Sequence, residues 1–164
     1  MRPKPIPPKP GQESVWDYPR PPRLERAGVH IVVRLAGTVV AETDDALRVL
    51  ETSHPPTYYL PEAAFAPGAL VPAEGASMCE WKGRAAYADV HALGHTVKRA
   101  AWTYPEPRHP FETIVGHWAV MPGKPLVCTV DGEEVVPQEG GFYGGWITSK
   151  VAGPFKGIPG SMGW

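Results

Sequence analysis

Only two cysteines, Cys79 and Cys128, occur among the 164 residues. Two thiols cannot build the disulfide framework of a small secreted scaffold. No Cys-x-x-Cys occurs either, so a four-thiolate zinc site cannot form within one chain, and no metal ligands are assigned. No apolar run approaches the roughly 18 residues of a membrane-spanning helix. The start, Met1-Arg2-Pro3-Lys4-Pro5, lacks the apolar stretch of a signal peptide. The expectation is therefore a cytoplasmic protein whose cysteines are thiols. Neither sign of charge dominates: 16 Lys and Arg face 17 Asp and Glu, for a net charge of −1. With no global basic field, neither nucleic acid nor an anionic membrane is expected as a partner. The phosphate-cradling P-loop, a Gly-x-Gly-x-x-Gly after a strand and the Gly-x-Ser-x-Gly nucleophile elbow are all missing.

Proline and glycine are abundant, at 21 and 18 residues. Proline removes a backbone donor and glycine weakens a helix interior, so long helices are disfavoured and a loop-rich β fold is favoured. The reading is a mainly β single domain of short antiparallel strands, β-tent-like or a small open barrel, with one or two short helices. Eight of the 21 prolines fall within the first 22 residues. Residues 1–22 thus read as a Pro-rich arm, extended at Met1 to Pro10, with Val15-Trp16-Asp17-Tyr18-Pro19 as an aromatic strap. Residues 23–139 read as the β-rich domain. Residues 140–164 read as a Gly and aromatic tail, with too many aromatics for a plain linker, packed on the domain or on a partner subunit.

Within the domain, His30–Leu35 and Thr38–Ala41 form a hairpin around Ala36-Gly37. Asp44 or Thr43 is expected to cap a short helix with Leu47 and Leu50 on its apolar face, ending before Pro55-Pro56. Asp44-Asp45 would then sit in the first helical turn. Thr57–Leu60 is a strand, Pro61–Phe65 one helical turn, and residues 66–76 a loop. Further strands are expected over Ala85–Val90, Thr96–Tyr104, Ile114–Met121 and Leu126–Val130, the last turning at Asp131-Gly132.

Several side chains carry candidate chemistry. Cys79 stands in a loop-like stretch with Lys82 three residues on, where an ammonium would favour the thiolate; it is equally a small buried thiol beside Trp81. Lys82 is an anion clamp or a surface lysine in a Lys-Gly turn. Glu51 is a general base if it points into a cavity, or a helix-end carboxylate paired with an arginine. His54 is a proton shuttle by residue type alone, or a loop residue before two prolines. His91 and His95 share a face under either period, but without a third ligand they read as surface histidines. Cys128 alternates within an apolar strand and reads as core.

Three blocks occur in order: Glu51-Thr52-Ser53-His54-Pro55-Pro56-Thr57-Tyr58-Tyr59-Leu60-Pro61, Cys79-Glu80-Trp81-Lys82-Gly83-Arg84-Ala85-Ala86-Tyr87 and Ala101-Trp102-Thr103-Tyr104-Pro105-Glu106-Pro107. Together they resemble the bacterial domain of unknown function 427, over roughly Val29 to Val130. The tail ending Gly160-Ser161-Met162-Gly163-Trp164 resembles the actinobacterial version. The family is sometimes filed under a nucleotidyltransferase-like name, but the Gly-Ser loop and Asp-x-Asp pair of that chemistry are absent here. The resemblance implies a small β domain with two sheets meeting over a pocket. It also marks Tyr58, Tyr59, Lys82, Tyr87, Trp102 and Tyr104 as pocket-lining, with Cys79 and Glu51 as catalytic candidates. The same aromatics at strand spacing would serve equally as core.

Three functions follow as expectations. The first is small-molecule binding in an aromatic-lined pocket, with no cofactor or reaction specified. The second is an enzyme using Cys79 or Glu51 in that pocket. The third is an interaction module assembled through its terminal segments, for which a homodimer is the simplest form.

Overall fold

In the computed structural model, which describes residues 2–164, strand pairing dominates from end to end. Met1 of the arm lies outside the described residues. In chain order the strands are β1 (Glu13–Ser14), β2 (Arg23–Arg26), β3 (Ile31–Leu35), β4 (Thr38–Thr43), β5 (Leu47–Leu50), β6 (Thr57–Pro61), β7 (Leu70–Cys79) and β8 (Gly83–Ala92). They continue with β9 (His95–Thr103), β10 (His117–Val120), β11 (Leu126–Val130), β12 (Glu133–Glu134), β13 (Val136–Pro137), β14 (Trp146–Ile147) and β15 (Val151–Ala152). Helical structure among the described residues is confined to single 3-10 turns at Val15–Asp17, Glu62–Ala64 and Glu112–Ile114.

Three hairpins turn on two residues: Ala36-Gly37, Leu93-Gly94 and Asp131-Gly132. Both residues of each pair have positive φ. That is the type I′ geometry whose twist matches the flanking strands, and glycine accepts it at the second position without a Cβ clash.

Seven strands form one antiparallel sheet in the order β2-β5-β6-β10-β9-β8-β7, and four form a second in the order β12-β11-β3-β4. Neither closes into a barrel. The inward residues of both sheets share one core. Ile31, Val33, Leu35, Leu126 and Cys128 come from the smaller sheet; Leu60, Val90, Ala101 and Val120 come from the larger. Burial pushes the Cys128 thiol up to about 12, so it stays neutral and packs as a small apolar group.

The segment after Thr43 is a strand, not the expected helix. β5 pairs with β2 on one side and β6 on the other. Leu47 and Leu50 are three apart, as on a helix, but in the strand they project to opposite faces. Leu47 packs with Val49 and Tyr59, while Leu50 packs with Val15 and Trp16. So short a segment gains little from helix formation alone, and pairing on both edges decides its conformation. Asp44 and Asp45 accordingly do not open a helix: Asp44 meets His30 at 2.7 Å and Asp45 meets Arg26 at 3.8 Å.

Residues 70–79, read mostly as loop from the sequence, form edge strand β7, with a register shift between Pro72 and Ala76. An exposed edge needs no apolar alternation and tolerates proline, so the usual strand pattern is absent. The terminal segments pack on each other. β1 runs parallel to β15, and Trp16 Nε1 donates to Pro154 O at 2.9 Å. Trp146 of the tail is 1% exposed and donates to Val120 O at 3.0 Å inside the main core.

Candidate functional site

The larger sheet has a second packed face, turned away from the main core. Directly paired residues lie on one face of a sheet. Trp102 pairs with both Ala119 and Tyr87, and these join Val49, Tyr59 and Ala85 in a separate cluster. The connection between β9 and β10 folds over this face and adds Tyr104, Phe111 and Ile114. The tail covers it further. A Cβ on Gly144 would run into Trp102 Cη2, so only glycine lets the backbone lie on the indole at this point.

Strand alternation divides the predicted aromatic set. Tyr59 faces the outer cluster, whereas its neighbour Tyr58 faces the main core, 5.1 Å from the Trp146 ring. Tyr58 also lines a cleft of about 510 Å³ with Glu13, Arg48, Asp131, Glu133 and Lys150. There Arg48 binds Glu13 at 2.9 Å and Glu25 at 2.8 Å, which holds both carboxyls below the ordinary value. A second cavity of about 230 Å³, lined by Arg84, Ala86, Pro105 and Glu106, holds none of the predicted set. Tyr87 shares the outer face, but its hydroxyl is 2.6 Å from Ser77 Oγ and its ring lies 4.3 Å beneath Arg99.

The remaining residues do converge. The Tyr59 and Tyr104 rings are 6.4 Å apart, and Lys82 Nζ lies 5.7 Å from the Tyr104 ring centre. Cys79, at the end of β7, belongs to the same cluster. Gly83 has a φ of +104°, and its missing Cβ leaves room for Glu106 O. The backbone N–H of Arg108 donates to Lys82 O at 3.0 Å. The turn carrying Lys82 is thus tied to the connection carrying Tyr104.

Burial here is nearly complete. Tyr59 is 1% exposed, Tyr104 6% and Lys82 9%. No hydrogen bond or ion pair within the described residues reaches Lys82 Nζ, whereas the Tyr59 hydroxyl has Trp102 and Tyr104 as hydrogen-bond partners. The sole side-chain polar atom both sealed from solvent and unpartnered among those residues is Ser53 Oγ. The Lys82 ammonium therefore keeps some contact with solvent, although neither of the two cavities above is lined by Lys82, Tyr59 or Tyr104. Desolvation raises both tyrosines well above the ordinary phenol value. Hydrogen bonds from Trp102 and Tyr104 partly offset the shift at Tyr59. Both phenols are hydrogen-bond donors at neutral pH.

Glu51 and His54 form the adjoining wall. Glu51 Oε2 is 3.5 Å from Arg20 Nη2 and 3.7 Å from His54 Nε2. Gly145 N–H donates to Gln138 Oε1 at 3.1 Å, which orients the amide so that Nε2 donates to His54 Nδ1 at 3.0 Å and to Lys156 O at 2.7 Å. His54 therefore accepts at Nδ1 and carries its proton on Nε2, facing Glu51. Burial, and then the charges of Lys156, Arg20 and Lys82, push His54 down to about 4, so the ring is neutral at pH 7. Tyr143 closes on it, with ring centres 5.0 Å apart.

Gln138, Tyr143 and Gly144 carry no motif, and sequence reasoning missed them. The sole signal was the glycine cluster at 140–145, whose meaning depends on Trp102. His91 and His95 sit across the β8–β9 turn, where His91 Nδ1 meets Thr96 Oγ1 at 2.9 Å. No three His, Cys, Asp or Glu side chains are grouped to hold a metal among the described residues. No helix there is long and apolar enough to cross a membrane.

No curated protein matches the chain. The model of one family, described as a domain of unknown function, DUF427, matches residues 23–135. That span takes in Glu51, His54, Tyr59, Cys79, Lys82, Trp102 and Tyr104, and leaves out Gln138, Tyr143 and Gly144. The chain belongs to the DUF427 family.

Proposed function

We propose that this protein binds a small molecule on the outer face of its larger sheet, in the aromatic site around Lys82, Tyr59, Tyr104 and Trp102. One observation carries the reading: the nearly buried Lys82, packed against the Tyr104 ring, has no hydrogen bond or ion pair at its ammonium among the described residues. Burying such groups costs free energy unless a partner compensates, and a bound molecule would be that partner. Tyrosine and tryptophan supply apolar walls with polar tips, a common composition for ligand sites.

Binding is favoured over acid–base catalysis by the state of the adjoining wall. The His54 lone pair is taken by Gln138, and Glu51 is held between Arg20 and His54. With its lone pair taken, His54 is not placed to accept a proton from a ligand. A catalytic reading through Cys79 requires a thiolate, and the pH dependence of its alkylation by iodoacetamide would reveal one. The interaction-module reading rests on the tail's exposed apolar groups, Phe142 and Met162.

Native mass spectrometry of protein from its own host tests the proposal. A small mass should be retained at mild activation, leave at harsh activation, and be absent from Lys82→Ala that remains folded. Bare protein in repeated preparations, or a mass that Lys82→Ala retains, would overturn it.

A further inference from the structure

Away from the outer face, the cleft of about 510 Å³ lies where both terminal segments meet the domain. That volume falls in the range of small-molecule sites, roughly 300–1,000 Å³. The arm supplies Glu13, the tail Lys150 and Val151, the larger sheet Tyr58, and the turn after β11 Asp131. The terminal walls are anchored. Arg48 holds the arm by two hydrogen bonds to Glu13, at 2.9 and 3.1 Å. In the tail, Ser149 donates its N–H and its hydroxyl to Glu133, at 2.6 and 2.7 Å.

The charges on these walls do not cancel. Arg48 is spent on Glu13 and Glu25, and Arg23 meets Glu25 at 2.9 Å, so two guanidiniums balance two carboxylates. Asp131, Glu133 and Lys150 remain. Asp131 Oδ1 accepts the His30 N–H at 2.8 Å and Glu133 accepts from Ser149, but neither carboxylate has an ion pair among the described residues. Lys150 is exposed and equally unpaired there. Two carboxylates against one ammonium leave the cleft negative. The rest of the lining is apolar: Ala27, Val29, Val130, Val151 and the Tyr58 ring. Tyr58 is 6% exposed, and burial above all holds its phenol above the ordinary value, so the ring is neutral. A neutral tyrosine face attracts a cation.

We infer that the cleft binds an organic cation, an ammonium group carried on an apolar body, with Asp131 and Glu133 as its counter-charge and Tyr58 and the valines against its body. A metal ion fits less well. No three His, Cys, Asp or Glu side chains converge among the described residues, and apolar walls do nothing for a hydrated ion. The site is separate from the outer face and does not depend on the binding reading above. Glu13, Lys150 and Val151 lie outside the family match at 23–135, so the cleft is a property of the domain together with its terminal segments.

Three probes with one aromatic body test the charge: the cation phenylethylamine, the neutral phenylethanol and the anion phenylacetate. Each is titrated at millimolar concentration into the full-length protein at pH 7. The backbone amides of Val130, Glu133 and Val151 report on the cleft by NMR, and those of Lys82 and Gly83 on the outer face. Phenylethylamine should shift the cleft amides and leave the outer pair in place, and the other two probes should bind at least severalfold more weakly. Asp131→Asn with Glu133→Gln should weaken phenylethylamine by at least about tenfold, as expected for loss of charge-assisted contacts. Each replacement amide keeps an oxygen for the His30 or Ser149 donor, and asparagine accepts the φ of +49° at position 131. A thermal melt establishes that the double variant is folded; if it is not, Asp131→Asn alone takes its place and should weaken binding severalfold. Lys150→Gln should tighten the cation, and Lys82→Gln should leave it unchanged. Equal binding of the cation and the alcohol, or tighter binding of the anion, would overturn the cation. No shift of the cleft amides with any probe would overturn the site. Shifts confined to Lys82 and Gly83 would also overturn it, while leaving the outer-face reading standing.

Discussion

On the inner face of the larger sheet, Leu60, Val90, Ala101 and Val120 are buried and end in hydrocarbon. On the outer face, Tyr59, Tyr104 and Lys82 are almost as buried and end in polar atoms, of which the Lys82 ammonium has no hydrogen bond or ion pair among the described residues. Burial alone does not distinguish the two faces. The difference lies in what happens to the polar tip of each side chain. The inner face removes mostly apolar area from water at about 25 cal/mol per Å², and the Trp146 N–H buried there is paired with Val120 O. The outer face buries aromatic area as well but carries the desolvation cost of an ammonium. On the reading proposed above, a bound molecule would offset that cost.

The largest effect should come from the inner face. Leu60→Ala removes a side chain that is 0% exposed between the sheets. It should lower the unfolding free energy by about 2–5 kcal/mol in urea titration, without changing any ligand's affinity at the outer site. A large affinity change would mean that the two faces are not independent.

Next comes the pH dependence of the adjoining wall. Folded His54 binds its proton only near pH 4, against an ordinary value of 6.5 in the unfolded chain. Between those values the unfolded chain holds a proton that the folded one refuses. The His54 contribution is therefore complete above about pH 6.5 and is lost as pH falls toward 4, a change on the order of 3 kcal/mol. His54→Gln should flatten this part of the stability profile. An unchanged slope between pH 4 and 6.5 would show that His54 is not buried in its neutral form.

How much of this was legible in the sequence depends on which interaction decides each element. The Leu126–Val130 strand and the Ala36-Gly37 and Asp131-Gly132 hairpins are local, set by alternation and by turn residues that accept positive φ, and they were readable as such, whereas the Leu93-Gly94 turn was not read. Leu47–Leu50 was not, because an apolar pair three apart fits a helix and only pairing with β2 and β6 makes it a strand. β7 was missed because an edge strand exposed on both faces has no alternation to read. The site was half legible. Lys82, Tyr104, Trp102 and Cys79 come together from separate blocks. Adjacent strand residues point opposite ways, so Tyr58 and Tyr59 could not both serve one face, a separation that strand period alone predicts. The covering residues Gln138, Tyr143 and Gly144 act only through contacts with His54 and Trp102 that no local pattern encodes.

The smallest expected effect on stability tests the contrast between the faces most directly. Lys82→Met keeps the buried stem and removes the unpartnered ammonium. Its unfolding free energy, measured by urea titration beside the wild type, should be unchanged or higher by about 1 kcal/mol, because a largely desolvated ammonium without an ion-pair partner has been replaced by an apolar group of similar size. The same variant should fail to retain the small molecule. A loss of about 2 kcal/mol or more would contradict this, since it would make Lys82 part of what holds the outer face together rather than a group held in place for a ligand.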